Sequence, residues 1–249
     1  MLRILLLSDI HFIHCEDDEN DYRSLETAFV EAMDDVRDSG GVNQILICGD
    51  IANWGKEEEY NTAEVFLQSI LNRLECDERR TQIYVVPGNH DVDRSVNALT
   101  RRAWRDTLLD LTTADDFIKQ AKHKELDTLR TIYSPFEAYH KFANKHSSAD
   151  AVAVGILSGS NNYNNMSFRK EVDLGMLDNY LVRLHCLNSA LLCDKEDVND
   201  PRSIKDGEHK LYIPRFAYNV DTNSTVVNIS MMHHPHAWFE NEDALRTEF

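Results

Sequence analysis

The stretch V-P-G-N-H-D at residues 86–91 decides how the rest of the chain is organised. It follows the apolar run 83–86 and places Asn89, His90 and Asp91 where a buried strand gives way to a loop. Proteins with parallel sheets bind their ligands at the carboxyl ends of the strands. The stretch therefore predicts a functional site at a strand end.

Three other apolar runs end in acidic or histidine residues. They are residues 2–8 before Asp9-Ile10-His11, residues 44–48 before Gly49-Asp50, and residues 225–232 before His233-His234-Pro235. Oxygen ligands mixed with imidazole nitrogens suit Mn²⁺, Fe²⁺ or Zn²⁺, and the lack of thiolates argues against a structural zinc cage. The four strand ends together predict a metal site, in which Asp50 on the central strand is placed to bridge two ions.

The spacing of apolar residues predicts how these strands are connected. Apolar residues recur at helical intervals over 25–36 and again over 60–74, and Gly40-Gly41 is a typical helix end. A β-α-β-α-β order, with polar residues always following the strand, indicates a parallel sheet whose three loops open on one edge.

Residues 2–8 are nearly all apolar, which is typical of a strand buried on both faces. Asp9 and His11 stand two apart, so an extended backbone would point both side chains to the same side. Residues 14–21 are acidic and polar and predict a solvated loop.

The chain changes character after the third strand. Residues 94–149 are highly charged with helical periodicity, and we interpret them as a helical insertion that caps the site; a solvated helical hairpin without substrate contact is the alternative. Strands are predicted again at 151–157, 184–192 and 225–232, enough for a second sheet, and residues 194–210 predict an exposed loop.

Length and composition limit what the site can belong to. A chain of 249 residues suits one large α/β domain with an insertion, or at most two domains. The net charge of −17 argues against a surface that grips nucleic acid as a whole, but carboxylates that hold metal ions contribute to that charge. Five cysteines without C-x-x-C spacing and the lack of a membrane-spanning run predict a cytoplasmic protein that does not enter membranes.

Four motifs of the chain resemble, in the same order, those of the calcineurin-like metallophosphoesterase superfamily. They are D-I-H at 9–11, G-D-I-A-N at 49–53, G-N-H-D at 88–91 and H-H-P at 233–235. The run V-P-G-N-H-D-V-D-R and the L-N-S at 187–189 are most similar to its bacterial cyclic-nucleotide-phosphodiesterase-like branch. The resemblance implies an α/β fold, a four-layer α-β-β-α sandwich of two mixed sheets. It also implies one metallophosphoesterase domain over residues 1–249, carrying the cap at about 94–149.

The resemblance also assigns the metal ligands. Asp9 and His11 would bind the first ion, Asp50 would bridge, and Asn89 and His233 would bind the second. His233 is preferred to His234, which would support the ligands, because the ligand of the family stands two residues before the proline. Mn²⁺ is the first choice for both ions, with Fe²⁺ or Zn²⁺ as alternatives.

Three further residues receive catalytic roles from the same resemblance. His90 is in the position of the general acid, Asn89 would also touch phosphate, and Asn53 would orient His90. Many family phosphatases have Asp where this chain has Asn53, so the orienting residue here lacks a charge. Asp91 is expected to brace the loop.

The sequence departs from the family pattern at its end. The motif Gly-His-x-His, which supplies one histidine to each ion, is absent, and residues 240–249 resemble the helix that precedes it. We therefore expect a C-terminally incomplete domain whose missing histidines come from a further C-terminal domain or a partner chain.

Two functions follow from these observations. The first is a metal-dependent phosphoesterase that hydrolyses phosphodiester bonds of nucleotides or nucleic acid, with Trp54 beside the site either stacking on a base or packing in the fold. The alternative is a catalytically impaired regulatory or scaffold module of a larger protein or complex.

Overall fold

The computed structural model of the protein describes residues 2–12, 19–75, 81–97, 99–100, 133–146, 169–191, 193, 211, 213, 215–218, 220, 223–239, 243 and 246. The predictions made for most of the insertion, for the strand at 151–157, for the loop at 194–210 and for most of the C-terminal helix lie outside these residues. None of the helices in the described ranges combines the length and the hydropathy that crossing a bilayer requires.

The first sheet confirms the predicted β-α-β-α-β order. Its strands are β1 (Ile4–Leu7), β2 (Gln44–Cys48) and β3 (Gln82–Val86), and they pair in this order, all parallel. The connecting helices are α1 (Glu19–Asp38) and α2 (Glu57–Arg73). Because the strands are parallel, the loops that follow them open on one edge of the sheet.

The ends of α1 test two predictions. Gly40, at φ 111°, ends the helix as predicted, and the Gly41 N–H donates to the Val36 carbonyl at 3.0 Å. The start was predicted too late, because α1 begins at Glu19 inside the expected loop 14–21. Periodicity detects a helix only where apolar residues mark its buried face, and the first turn of α1 has no such stripe.

The second sheet is mixed. Its described strands are β4 (Arg169–Leu177), β5 (Tyr180–Leu187) and β6 (Val226–Met231), with β4 antiparallel and β6 parallel to β5. Strand β6 matches the prediction, whereas β5 lies earlier than expected and β4 was missed. Only Val172 and Leu174 mark the buried face of β4, and a register shift between Asp173 and Gly175 interrupts its alternation.

Two hydrophobic clusters hold these layers together. The first sheet packs against the second through side chains from both, with Leu46, Tyr84 and Val86 on one side and Val172, Leu184 and Met231 on the other. Its opposite face packs against α1, α2 and the helix α3 (Glu137–His146), with Met33, Phe66 and Tyr139 in that cluster. The protein is therefore an α/β sandwich, in which the described strands of the first sheet are parallel rather than mixed.

The prediction that the first strand is buried on both faces was wrong. Leu6 is 62% exposed and Ile4 is 39% exposed, whereas Leu7 is buried. Strand β1 pairs only with β2, so it is the outer one of the described strands of this sheet. A run of apolar residues does not reveal whether its strand is central or at an edge.

Candidate metal centre

The loops after β2 and β3 approach each other as closely as backbones can. A Cβ atom on Gly49 would lie 2.7 Å from the Gly88 nitrogen, and one on Gly88 would clash with Oδ1 of Asp50. Gly49 also has φ +83°, which glycine adopts without steric cost. The glycines of the G-D and G-N-H-D motifs therefore bring the Asp50 carboxylate against the third loop.

Three of the expected ligands stand in the left-handed backbone region. Asp9, His11 and Asp50 have φ of 55°, 54° and 52°. The expectation that an extended backbone aligns Asp9 and His11 was therefore wrong. The two residues follow the second loop instead, where the Asp9 N–H donates to the Gly49 carbonyl at 3.2 Å and the His11 N–H to the Asp50 carbonyl at 2.9 Å. Such strained conformations concentrate at functional sites.

Asp50 lies at the centre of the cluster and is 3% exposed. Its Oδ2 atom lies 3.2 Å from Nε2 of His233 and 3.6 Å from Nε2 of His11, and its Oδ1 atom accepts the His90 N–H at 2.8 Å. His11 Nε2 is also 4.0 Å from Oδ1 of Asp9, a side chain that is 59% exposed. The Asp50 carboxylate therefore contacts groups in the loops that follow β1, β3 and β6.

The donor atoms form two groups that share Asp50. One group is His11, Asp50 and His90, the other is Asp9, Asp50 and His233, and within each group the donor atoms lie within 4.8 Å of one another. Metal–ligand bonds of about 2.0–2.2 Å place neighbouring ligands roughly 3–4 Å apart, so small adjustments would let each group hold an ion. The expected pairing of Asp9 with His11 on the first ion stays a prediction, and Nε2 of His11 also lies 4.0 Å from Oδ1 of Asp9.

The two adjacent histidines point in different directions. The His233 ring donates from Nδ1 to the Cys48 carbonyl at 2.9 Å, and its Nε2 atom lies 3.2 Å from Oδ2 of Asp50, to which it donates while it is protonated. Loss of the Nε2 proton would leave that nitrogen free to bind an ion. A metal-binding histidine commonly has its second nitrogen held in this way. His234 contacts Ser189 and Asn89 instead, so the geometry supports His233 as the ligand of the pair.

The electrostatics of the cluster favour a cation. Burial alone raises the pKa of Asp50, but the hydrogen bonds and charges of His233 and His90 together outweigh it and hold that pKa below its usual value. Burial lowers the pKa of His233, yet the Asp50 carboxylate raises it on balance to about 9. For His11, burial outweighs the attraction of Asp50 and lowers the pKa. The Asp50 carboxylate therefore contacts His233, which holds a proton at neutral pH, and His11, which does not, so the cluster stabilises positive charge.

His90 is held by the main chain of the second loop. Its Nδ1 atom donates to the Asn53 carbonyl at 2.8 Å, and its ring lies edge-on to His11 with the centroids 4.5 Å apart. The contact is made by the backbone of Asn53, whereas the sequence predicted its side chain. The charge difference between Asn and Asp at this position therefore does not affect the contact that orients His90.

Asn89 is buried, and both its side chain and its main chain are held. Its Oδ1 atom lies 3.1 Å from Nε2 of His234, and its carbonyl accepts a hydrogen bond from Nη2 of Arg94 at 3.0 Å. Arg94 was not predicted to take part in the site, and Ser189 was noted only as part of the L-N-S motif. No periodicity or ligand pattern marks either residue.

Asp91 braces the loops, as predicted. Its side chain is 0% exposed and accepts hydrogen bonds from the N–H groups of Ile51 at 3.1 Å, Ala52 at 3.0 Å and Gly88 at 2.9 Å, and from the Tyr60 hydroxyl at 2.7 Å. Burial and the charge of Asp50 raise the pKa of Asp91 to about 6, so it is a carboxylate at neutral pH. This one side chain ties the second and third loops to α2.

Replacing Asp91 with Ala should lower the free energy of unfolding by at least about 3 kcal/mol. The change leaves four buried donors without their acceptor, and each unpaired donor costs about 1–3 kcal/mol. Urea denaturation measures the loss. Tyr60→Phe is the control, since it removes one of the four donors and should cost about 1 kcal/mol. A loss below that of the control would show that the carboxylate does not hold the loops.

Comparison with known proteins agrees with this geometry. A family model described as calcineurin-like phosphoesterase matches residues 2–248, nearly the whole chain. A search of the curated proteins found no match to the chain.

Proposed function

The chain belongs to the calcineurin-like phosphoesterase family, and on this premise we propose that it hydrolyses phosphodiester bonds of nucleotides or nucleic acid at a centre for two divalent metal ions. Membership makes the protein a metal-dependent phosphoesterase; the diester substrate, the number of ions and Mn²⁺ as their identity are the proposal. The observation that carries it is the sharing of Asp50 between two groups of donor atoms.

In this proposal, each side chain of the cluster has one task. Asp9, His11, Asp50, Asn89 and His233 would hold the ions, and Asn89 would also contact the phosphate. When bound, the ions would stabilise phosphoryl oxygens as Lewis acids and lower the pKa of a water. His90, oriented by the Asn53 carbonyl, would donate a proton to the leaving oxygen.

Removal of divalent ions should abolish hydrolysis, because the donors at the strand ends are oxygens and imidazoles suited to Mn²⁺. Dialysis against EDTA followed by a phosphodiesterase assay should show a loss of at least about 100-fold, since a Lewis-acid ion contributes several kcal/mol. Added Mn²⁺ should restore the rate. Full activity after exhaustive chelation would rule out the mechanism, and a wild-type chain that binds Mn²⁺ without hydrolysing any diester would favour the scaffold alternative.

Trp54 supports a substrate that carries a nucleobase. Trp54 is 57% exposed, so more than half of it is open to solvent, and it directly follows Asn53, whose carbonyl binds His90. The loop is held rigidly, because Oε2 of Glu59 accepts the N–H groups of Trp54 and Lys56, both at 2.9 Å. An exposed aromatic ring on a fixed loop next to the proposed acid is suited to stacking on a base.

Trp54→Ala should raise KM for a dinucleotide about 10-fold with little change in kcat, because stacking on one base is worth about 1–3 kcal/mol. Trp54→Phe keeps a ring and should lose less. Glycerophosphoethanolamine, a phosphodiester without a base, serves as the control substrate and should be hydrolysed equally by all three proteins. An equal loss on both substrates would show that Trp54 supports the loop rather than the base.

A further inference from the structure

Three polar side chains in contact lie buried behind the metal centre. Ser189 is 1% exposed, His234 is 2% exposed and Asn89 is 8% exposed. Ser189 Oγ lies 2.9 Å from Nδ1 of His234, and Nε2 of His234 lies 3.1 Å from Oδ1 of Asn89. Buried polar groups need matched donors and acceptors, so the direction of each hydrogen bond among these three side chains can be deduced.

The direction is set at Ser189. Its Oγ atom accepts the main-chain N–H groups of His233 at 3.2 Å and of His234 at 3.3 Å. A hydroxyl oxygen has two lone pairs, so both are used and its own proton must be donated. Of the groups that contact this oxygen in the described part of the chain, only Nδ1 of His234 can accept the proton. That nitrogen therefore carries no proton, and the neutral ring carries its proton on Nε2.

The Nε2 proton fixes the amide of Asn89. A donor at Nε2 requires the oxygen of the amide, rather than its NH₂ group, on the facing side, which agrees with the 3.1 Å contact to Oδ1. Cys193 Sγ lies 3.6 Å from the same Nε2 and is a weaker second acceptor. The amide oxygen has two lone pairs, and His234 uses one of them, so the other is free for a cation.

We propose that Ser189 and His234 are positioning residues, which hold the Asn89 amide so that its oxygen can bind a metal ion. This inference rests on the proposed function, because it assigns a task to Asn89 as a ligand. Loss of the Ser189 hydroxyl lets the His234 ring adopt the other tautomer, and the Asn89 amide can then rotate its oxygen away. Groups that orient metal ligands typically contribute 10–100-fold to metal affinity.

Two measurements on the full chain test the proposal. The first is ¹⁵N NMR of the metal-free protein with labelled histidines, which reports the tautomer of His234. The second is titration with Mn²⁺ alone, in which electron paramagnetic resonance counts the free ion. The variant is Ser189→Ala, and the matched control is Ser230→Ala, because the Ser230 hydroxyl is buried and has no hydrogen-bond partner within the described part of the chain.

We expect the Nε2–H tautomer in the wild type, a shifted Nδ1 signal in Ser189→Ala, and 10–100-fold weaker Mn²⁺ binding in that variant. Ser230→Ala should bind Mn²⁺ like the wild type. An Nδ1–H tautomer or a charged ring in the wild type would overturn the proposal, and this readout applies even if Ser189→Ala does not fold. Wild-type affinity in Ser189→Ala, or an equal loss in both variants, would also overturn it. A wild-type chain that binds no Mn²⁺ would overturn the proposed function and the positioning role with it.

Discussion

Replacing Asp50 with Asn should lower the rate of phosphodiester hydrolysis by at least about 10³-fold and reduce the metal content of the protein. The amide keeps an oxygen for the His90 N–H but loses the negative charge that both donor groups share. Metal ions contribute several kcal/mol of transition-state stabilisation, and about 4 kcal/mol corresponds to a factor of about 10³. Elemental analysis after dialysis against Mn²⁺, together with the hydrolysis rate, measures both effects.

The control for Asp50 is the same substitution on the second sheet. Asp173 pairs with Arg183 at 2.7 Å and its side chain is 50% exposed, so Asp173→Asn should change neither metal content nor rate. Thermal unfolding of both variants checks that they are folded. If Asp50→Asn keeps its metal and loses less than about 10-fold in rate, Asp50 is not the bridge that we propose.

His90→Ala should slow hydrolysis of substrates with poor leaving groups by about 10²–10⁴-fold, the usual contribution of general acid catalysis. Nitrophenyl esters, whose leaving group needs little protonation, should lose much less. The reason is the position of the ring, whose Nδ1 donates to the Asn53 carbonyl at 2.8 Å. The test compares both kinds of substrate at saturating Mn²⁺ and measures the metal content of each protein.

Metal content separates two roles for His90, because its ring is also part of one donor group, with His11 and Asp50. If His90 is the acid, His90→Ala keeps its metal; if it is a ligand, the variant loses metal and slows on both kinds of substrate. The matched control is His146→Ala. His146 is the last residue of α3, and its imidazole lies 3.4 Å from Glu64 and belongs to neither donor group. Equal losses on good and poor leaving groups would argue against general acid catalysis by His90.

Local patterns in the sequence were sufficient to predict the parallel sheet and the edge on which the site lies. The apolar runs and the helical spacing between them determine the strand-helix order, and the carboxyl ends of parallel strands necessarily share an edge. Asp9, His11, Asp50 and His90 were therefore predicted to meet from their positions alone. His233 follows a strand of the second sheet and was included because of its chemistry, and the structure brings all five residues together.

The tertiary structure decided how these residues are held. The main-chain carbonyl of Cys48 accepts a hydrogen bond from His233, which is 185 positions away in the sequence. The main-chain carbonyl of Asn53 accepts one from His90, which is 37 positions away. Every residue has such a carbonyl, so the type of residue does not show which one will serve as an acceptor. The pairing of the loops selects it.

Contacts with distant parts of the chain also explain the other differences between the predicted and the observed structure. The left-handed backbone at Asp9 and His11 and the exposed position of Leu6 depend on what lies beside β1, which no local pattern contains. Of the two neighbouring histidines, one faces Asp50 and the other faces Ser189, although their local sequences are nearly the same. The sequence determined which chemical groups reach the edge of the sheet, and long-range packing determined the direction in which each of them points, because the partners that fix a side chain come from distant parts of the chain.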